Sequence, residues 1–466
     1  MSRAHSTALR RAVWRSVPSG SGWTLALCLT AAPLAVGAQV ATRCADDSTA
    51  SPAAASAPKA GATEAQAQDP RSQLLQLVDL SARRSRTLGA LQLLNLAAQA
   101  DVAEAQAQQR LPTVNLQAST GLVGQQQNGI TTQKGLQHQV GLQASASLWD
   151  FGRMAKLTEW RSQLAESARL GHSNAEEQLA LQTVSLALDR SRYQLQGQVY
   201  QQYARKMACL VDALESITRA DKGRASELVQ AQKSLQQAEL QLEMTQSALR
   251  QTEVKLRRFV GDELPPPVSM SAVLTQLPDL AQAQADVASS AEVAQASANA
   301  QAQRHYAESV QAGQRPSVSV SFNSTLIGGT QRQRDVGATV HLNVPLLQPG
   351  ADAALTSAQR RYQAALLQRD ETVEAKRYRV MEMHESAASA LDRARRSVEI
   401  LRNSDRVRAS TLQQWQQLGR RSLFDVMASE GDYYSTRVSH VNALFDAQQI
   451  IALIWSQGRG VLTPLR

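Results

Sequence analysis

The sequence contains few side chains in arrangements that could catalyse a reaction. It has no nucleophile motif, no phosphate-binding loop and no His/Cys spacing that is typical of a zinc site. His138 and His341 stand alone in segments of alternating polarity. Cys28 lies in an apolar N-terminal segment, and Cys44 and Cys209 by themselves do not make a disulfide framework. The sequence therefore predicts a protein that is not an enzyme and that uses no cofactor or metal ion.

Two short turns carry the charged residues that stand out. Each contains the pattern G-R-x-S, beginning at Gly223 and at Gly419. A carboxylate follows each turn near the predicted start of a helix, Glu227 in the first and Asp425 in the second. One interpretation is a solvated turn whose carboxylate stabilises the positive end of the helix dipole. The other interpretation is that the carboxylates belong to a functional site. Whether they do depends on where the surrounding helices and strands place the two turns.

Four segments alternate between apolar and polar residues, which predicts β-strands with two different faces. They cover residues 113–123, 136–148, 317–326 and 336–346. The second segment reads LQHQVGLQASASL, with apolar side chains at every other position against Gln, Gly and Ser. The lengths are close to the ~9–11 residues that a tilted strand needs to cross a bilayer. An ordinary half-buried hairpin under a helical bundle is the alternative.

From residue 71 onward, the rest of the chain is rich in Ala, Gln and Leu and has helical periodicity. A first helix is predicted from residue 71, and further helices at 152–218, 224–260, 280–314, 350–417 and 422–458. Residues 71–268 and residues 269–466 therefore share one order: helix, strand, strand, long helix, helix. This order, occurring twice, predicts an internal tandem repeat.

Residues 1–38 have the features of a secretory signal peptide. Basic residues precede an apolar stretch at 23–36, which is too short to span a bilayer, and small residues follow it. A buried N-terminal helix is the alternative. Residues 39–70 are rich in Ala, Ser and Pro and are predicted to form a disordered tether. The residues before Cys28 and Cys44 do not suit lipoprotein cleavage, so we expect no lipid anchor.

The formal net charge of +9 is spread along the predicted helices. Aromatic residues make up only 4% of the chain and are not interleaved with basic tracts, so nucleic-acid binding is not expected. After the N-terminal segment, no apolar run is long enough for a transmembrane helix. If this chain spans a membrane, it must do so with its strands.

Four strands cannot close a barrel, and an open sheet edge in lipid leaves backbone groups without hydrogen-bond partners. The strands therefore require further copies of the chain. Two copies give eight strands around a filled interior, and three give twelve strands around a lumen. The helices carry too many charges to lie in the membrane, and must project from one side of it.

Taken in this order, the motifs resemble the TolC family of outer-membrane channels, and the resemblance covers nearly all of residues 71–460. The motifs are Pro112 and Pro316 before each first strand, LWDFGR at 148–153, GRASELVQA at 223–231 and GRRSLFDV at 419–426. The resemblance implies a mixed α/β membrane protein. Its homotrimer would form a twelve-stranded β-barrel, with four strands per chain, that continues into a long α-helical coiled tunnel.

The resemblance also implies that the two turns are the inner tips of the tunnel, where the pore closes and an adaptor protein binds. The implied adaptor contacts are Gly223, Arg224, Ser226, Gly419, Arg420 and Ser422. The implied pore constriction comprises Asp425, Arg421 and Glu227. Asp425 from three copies would form a ring of carboxylates that favours cations, and Arg421 would bridge neighbouring helices.

Three positions depart from the family pattern at these tips. Ala428 replaces a second carboxylate, which makes the expected ring of charges thinner. Gln416 stands where a tyrosine often assists the basic residue, and Val229 stands where the first tip would align with Asp425.

The implied function is a passive exit duct in the outer membrane of a Gram-negative bacterium, with its helical part in the periplasm. Its partners would be outer-membrane lipid, a periplasmic adaptor and an inner-membrane transporter. The tip sequence and the expected lack of a lipid anchor favour type I protein secretion with an ABC transporter. Efflux of drugs or metals with a proton-driven pump and a secreted coiled-coil scaffold without a pore are the alternatives. Trp149 and Phe151 are expected at the membrane interface or at the equator of the tunnel.

Overall fold

A computed structural model describes residues 69–127, 130–329, 332–415 and 421–466. The predicted signal peptide, nearly all of the predicted tether, Cys28 and Cys44 lie outside the described residues, as do Gln416, Gly419 and Arg420. The description below concerns the single unit that spans Ala57–Arg466.

The described residues form long helices and one four-stranded sheet. The helices are α1 Pro70–Arg84, α2 Arg86–Arg110, α3 Arg153–Ala220, α4 Ala225–Val260, α5 Leu280–Asp286, α6 Ala291–Ala312, α7 Ala351–Gln413 and α8 Leu423–Ser456. The strands are β1 Thr113–Gln127, β2 Ile130–Trp149, β3 Ser317–Gly329 and β4 Gln333–Asn343. Short 3-10 turns lie at Lys222–Arg224, Val287–Ser289 and Thr463–Leu465.

Two of the predicted helices are interrupted by serine caps. The first breaks at Ser85, whose hydroxyl accepts a hydrogen bond from the Leu88 amide at 3.2 Å and so begins α2. The helix predicted at 280–314 breaks at Ser290, whose hydroxyl accepts from the Val293 amide at the start of α6. A serine hydroxyl offers the backbone a partner at a helix start, and this competes with continuing the preceding helix.

The strand boundaries also differ from the predicted ones. β1 continues to Gln127, and β2 already begins at Ile130, because backbone pairing continues through residues whose polarity predicts a loop. β4 begins three residues before the predicted start and ends at Asn343, two residues before Pro345. Proline has no N–H to donate to a strand ladder, which explains the earlier end.

The four strands form an antiparallel sheet in the order β1-β2-β3-β4. Even-numbered residues are paired with even-numbered residues through most of the sheet, for example Leu116 with Leu142 and Val320 with Val340. Within this regular register, even-numbered side chains therefore share one face, which we call the apolar face, and odd-numbered side chains share the other, the polar face. The register shifts between Gln125 and Gln126 and between Ser147 and Trp149. β1 and β4 are the two edges, and neither edge pairs with another described strand.

The helices pack side by side in antiparallel hairpins. α3 pairs with α4, α7 pairs with α8, and α3 also contacts α2, α6 and α8. With 68 residues in α3 and 63 in α7, these two helices are each roughly 100 Å long at about 1.5 Å per residue. None of the described helices is both long and apolar enough to cross a membrane.

The largest apolar cluster lies where α1, the middle of α3, α7, α8 and the C-terminal segment meet. Its fully buried side chains include Leu188, Phe445 and Ile451. Gln448 is buried in the same region and accepts hydrogen bonds from the amides of Val273 and Leu274, which fixes the segment between the two halves to α8. This packing holds the helical part together at its middle.

Both long helices leave the sheet through a glycine in the left-handed region. Gly152 has φ +80° before α3, and Gly350 has φ +85° before α7. The Asp150 carboxylate accepts hydrogen bonds from the amides of Gly152 and Met154, at 3.0 and 2.8 Å, and so caps α3. These joins turn the chain from strand to helix within a few residues.

Replacing Gly152 by alanine is expected to destabilise the protein by about 1–2 kcal/mol, because a Cβ disfavours the left-handed conformation. A lower midpoint of thermal unfolding in Gly152→Ala would support this. Gly197→Ala is the matched control: Gly197 lies inside α3, where an added Cβ would meet no atom within 4 Å, and alanine there should stabilise by about 1 kcal/mol. Equal midpoints in both variants would contradict the assigned role of Gly152.

Candidate functional site

Most of the large apolar side chains on the apolar face of the sheet are exposed. Leu116 is 72% exposed, Leu122 86% and Val340 66%, and no described helix covers them. Further exposed apolar side chains on this face are Val114, Leu136, Leu326, Val336 and Leu342. A continuous apolar surface of this size marks an interface with lipid or with protein. The described helices do not bury it, which disfavours the half-buried hairpin under a helical bundle.

The polar face of the same sheet has an almost uncharged surface. Its described side chains are mainly Ser, Thr, Asn and Gln, and the titratable ones among them are Asp335 and His341. His341 Nε2 lies 2.9 Å from Ser321 Oγ. The Asp335 carboxylate accepts hydrogen bonds from the side-chain Nε2 of Gln333, at 3.0 and 3.1 Å for its two oxygens. Amides and hydroxyls of this kind suit contact with water.

Two aromatic residues lie where the sheet meets the helices. A register shift between Ser147 and Trp149 places Trp149 opposite Val318, on the apolar face. Trp149 and Phe151 are 60% and 44% exposed, and their ring centroids are 5.7 Å apart in an edge-on arrangement. The Arg315 guanidinium lies 5.6 Å from the Phe151 ring. The predicted pair is thus brought together at the helical end of the apolar face.

The first turn, between α3 and α4, is held by its own charges. The Asp221 carboxylate accepts a hydrogen bond from the Gly223 amide at 2.9 Å. Arg224 lies 3.8 Å from Asp221 and 4.0 Å from Glu227. Ser226 is exposed in the first turn of α4, while one Glu227 oxygen is buried without a hydrogen bond.

The second turn, before α8, is closed by a capping box. Ser422 Oγ accepts a hydrogen bond from the Asp425 amide at 3.3 Å, and Asp425 accepts one from the Ser422 amide at 3.2 Å. The Arg421 guanidinium lies 3.8 Å from Asp425 and donates to the Gln414 side chain. Asp425 therefore has a structural role in starting α8, in addition to its negative charge.

The two turns lie at the same end of the helical part. Leu423, Val426 and Met427 at the start of α8 pack into one cluster with apolar side chains near the end of α3 and the start of α4. The members from α3 and α4 are Met207, Leu210, Val211, Leu214 and Ala231. The predicted site residues Arg224, Glu227, Arg421, Ser422 and Asp425 are thus brought to one end of the molecule.

A buried charge cluster, not predicted from the sequence, lies behind this end. Glu430 of α8 is completely buried, with its carboxylate 3.5 Å from Arg408 of α7 and 3.9 Å from Lys206 of α3. We call these three residues the buried triad. Arg408 also lies 4.3 Å from the centroid of the Tyr433 ring. The triad joins three helices through one carboxylate.

Burial raises the pKa of Glu430 above its ordinary value, although the nearby Arg408 and Lys206 act in the opposite direction. Burial alone would lower the pKa of Arg408, but Glu430 and the neighbouring tyrosines raise it, so the guanidinium stays charged. The sequence carried one signal of this cluster. Glu430 continues a helical stripe of apolar residues formed by Leu423, Val426 and Met427, in which a carboxylate is unusual.

A second charge cluster joins α3 to α6 close to the sheet. One carboxylate oxygen each of Glu159 and Glu308 and one ring nitrogen of His305 all lie within 4.8 Å of one another. The spacing of these residues in the sequence did not indicate this cluster. The ammonium of Lys156 lies 2.7 Å from Glu159 and 3.1 Å from Glu308. Hydrogen bonds to these carboxylates raise the pKa of Lys156. A cation of the chain thus bridges the carboxylates, and the cluster is an ion-pair network.

Several solved structures of bacterial outer-membrane channels share this architecture. CusC, described in connection with transmembrane channel formation, has a TM-score of 0.75 and 17% identity, covering 83% of this chain and 92% of its own. The outer membrane protein VceC from Vibrio cholerae has a TM-score of 0.72 and 17% identity, covering 83% and 96%. The open state of the MtrE outer membrane channel from Neisseria gonorrhoeae has a TM-score of 0.73 and 15% identity, covering 84% and 89%.

The sequence matches no protein-family model and no curated protein. The structural likeness extends over most of the chain, so the fold that the TolC-family resemblance implied for one subunit is confirmed.

Replacing Glu430 by glutamine is expected to remove a pH dependence of stability. Because the pKa of Glu430 is raised in the folded state, folding is favoured by protonation, and the stability of the wild type should fall as pH rises above about 4.5, the ordinary value for Glu. The stability of wild type relative to Glu430→Gln should therefore decrease with pH, measured as thermal midpoints at a series of pH values. Glu399→Gln, on an exposed face of α7, is the control. A constant difference across the series would contradict the expectation.

Proposed function

We propose that this chain, which has the fold of bacterial outer-membrane channels, forms a passive channel across the outer membrane as a homotrimer. The observation that carries the proposal is the two-faced sheet. Its apolar face is uncovered and its polar face bears amides and hydroxyls. Lipid would cover the apolar face, and water in a lumen would form hydrogen bonds with the amides and hydroxyls of the polar face.

The number of copies follows from the sheet edges and the polar face. β1 and β4 each leave backbone groups without a partner strand among those described, and pairing β1 of one copy with β4 of the next closes the sheet. Eight strands from two copies would give an interior filled by side chains. Twelve strands from three copies leave a lumen, which suits the hydrated groups on the polar face. The order of elements in each half further supports an origin of the chain by duplication.

In this proposal the long helices extend the lumen into the periplasm, and the two turns form the inner end. Asp425 would then occur three times around the axis, and a ring of like charges favours cations. Arg421 lies 3.8 Å from Asp425 in the same chain, so it would partly neutralise the ring. The exposed turn residues Gly223, Arg224, Ser226 and Ser422 would be available to a periplasmic adaptor.

We further propose that the channel serves type I protein secretion with an ABC transporter and an adaptor. The turn GRRSLFDV at 419–426, which resembles secretion-type members of the TolC family, supports this choice. The channel itself would hydrolyse nothing, and the inner-membrane transporter would supply the energy. Efflux of drugs or metals is the competing function.

The role of the Asp425 charge can be separated from its role in capping. Asp425→Asn keeps an oxygen that can accept from the Ser422 amide but removes the charge, whereas Asp425→Ala removes both. In planar bilayers, the wild type should give small, cation-preferring conductance steps, and both variants should lose most of that preference. Asp370→Asn, an exposed charge on α7, should leave it unchanged. Loss of selectivity in the alanine variant alone would assign Asp425 to capping and not to the constriction.

Deleting the gene in the source bacterium should distinguish secretion from efflux. For secretion, we expect one or a few large proteins to disappear from the growth medium and the inhibitory concentrations of drugs and metals to stay unchanged. Mass spectrometry of the medium and growth assays measure the two effects, and the wild-type gene should restore the lost proteins. Increased sensitivity with an unchanged set of secreted proteins would favour efflux instead.

A further inference from the structure

A groove lies on the sheet at the end opposite the helices. It has a volume of about 460 Å³ and is open to the surface. Its walls combine apolar and cationic side chains, namely Val140, Leu326, Ile327, Arg332 and Arg334. We call it the outer groove.

The register places a cation beside the uncovered apolar surface. Arg334 is paired with Leu326, and Leu326 is paired with Val140, so these three residues form one row across the apolar face. Farther along β4, the same face carries Val336, Val340 and Leu342, all exposed. Arg334 therefore ends an apolar column on the face that the proposed function turns toward lipid.

The two arginines of the groove have no protein partner among the described residues: neither takes part in an ion pair or hydrogen bond there. The nearest carboxylate in sequence, Asp335, belongs to the opposite face and accepts from Gln333. Among the residues that line it, the outer groove thus has two cations and no anion.

The depth of Arg334 agrees with a position near the lipid headgroups. Leu342 lies eight positions after Arg334, which is about 26 Å along the strand at ~3.3 Å per residue. A strand tilted by about 40° would cover roughly 20 Å of membrane thickness over this length, against an apolar band of about 25 Å. The long arginine side chain can extend from there to the polar boundary.

We propose that the outer groove binds the phosphate of an acylated anionic lipid of the outer leaflet. Arg332 and Arg334 would hold the phosphate oxygens through charge-assisted hydrogen bonds, and an acyl chain would lie along Leu326 and Val140. This inference rests on the proposed function, because it requires the apolar face to contact the outer membrane. It goes further by naming a lipid partner and the residues that bind it.

The composition of the groove favours a lipid over a free phosphate ion. An inorganic phosphate would use the two guanidinium groups only, and it would leave the apolar wall exposed to water. An acylated phosphate would use both parts of the groove. Each arginine near such a surface contributes about 1 kcal/mol, so two arginines correspond to about a 30-fold change in affinity.

The test is native mass spectrometry of the full-length trimer in detergent. Three ligands are titrated separately: bis-phosphorylated lipid A, the dephosphorylated form of the same lipid, and inorganic phosphate. The wild type should bind the phosphorylated lipid about 30-fold more tightly than the dephosphorylated one. The double variant Arg332→Gln/Arg334→Gln should lose that difference and keep its conductance in bilayers. Arg377→Gln/Arg379→Gln is the matched control, because it removes two exposed arginines at the same spacing on α7.

Equal affinity of the wild type for the two lipids would overturn the proposal, as would a double variant that binds like the wild type. Full competition by inorganic phosphate at the concentration of the lipid would also overturn it, because the acyl chain would then contribute nothing. If the wild type neither forms trimers nor inserts into bilayers, the proposed function fails together with the lipid site. A conducting trimer without phosphate preference loses the lipid site alone.

Discussion

The structure depends on one constraint, the need to pair the backbone and cover the apolar face of a four-stranded sheet. β1 and β4 end the sheet with backbone groups that no described strand satisfies, and the side chains of one face are uncovered. Both requirements exceed what one chain supplies, because its helices run away from the sheet and pack on each other. In the proposed trimer, lipid on one face and further copies at both edges would satisfy them together.

The sheet and the end of the helical part that carries the two turns differ in their charged side chains. The polar face of the sheet offers hydrogen bonds and little charge, since Asp335 and His341 are its titratable side chains among those described. At the other end, Arg224, Arg421 and Asp425 lie at helix starts beside an apolar cluster. In the proposed channel, this distribution would place any selection by charge at the helical end.

The strand faces could be predicted because a period of two, once begun, fixes every side chain of a strand to one face. Strand ends were harder, since β2 already begins at Ile130 and its backbone pairing with β1 includes residues whose polarity predicts a loop. The break at Ser290 depends on one hydroxyl within a helical pattern. The buried triad brings Lys206 together with residues about 200 positions later, and only packing between α3, α7 and α8 determines that meeting.

The buried triad and the charged turns differ in how easily their contacts can break. Arg224 and Arg421 lie 3.8 Å from their aspartates and are about half exposed, and exposed pairs of this kind contribute about 0–1 kcal/mol. Glu430 is completely buried. Separating it from both cations while it stays buried would leave an uncompensated charge, which costs several times more. A rearrangement at this end therefore breaks the contacts of the turns first. The triad, which ties α7 and α8 to α3 through one buried carboxylate, is therefore harder to break than the contacts of the turns.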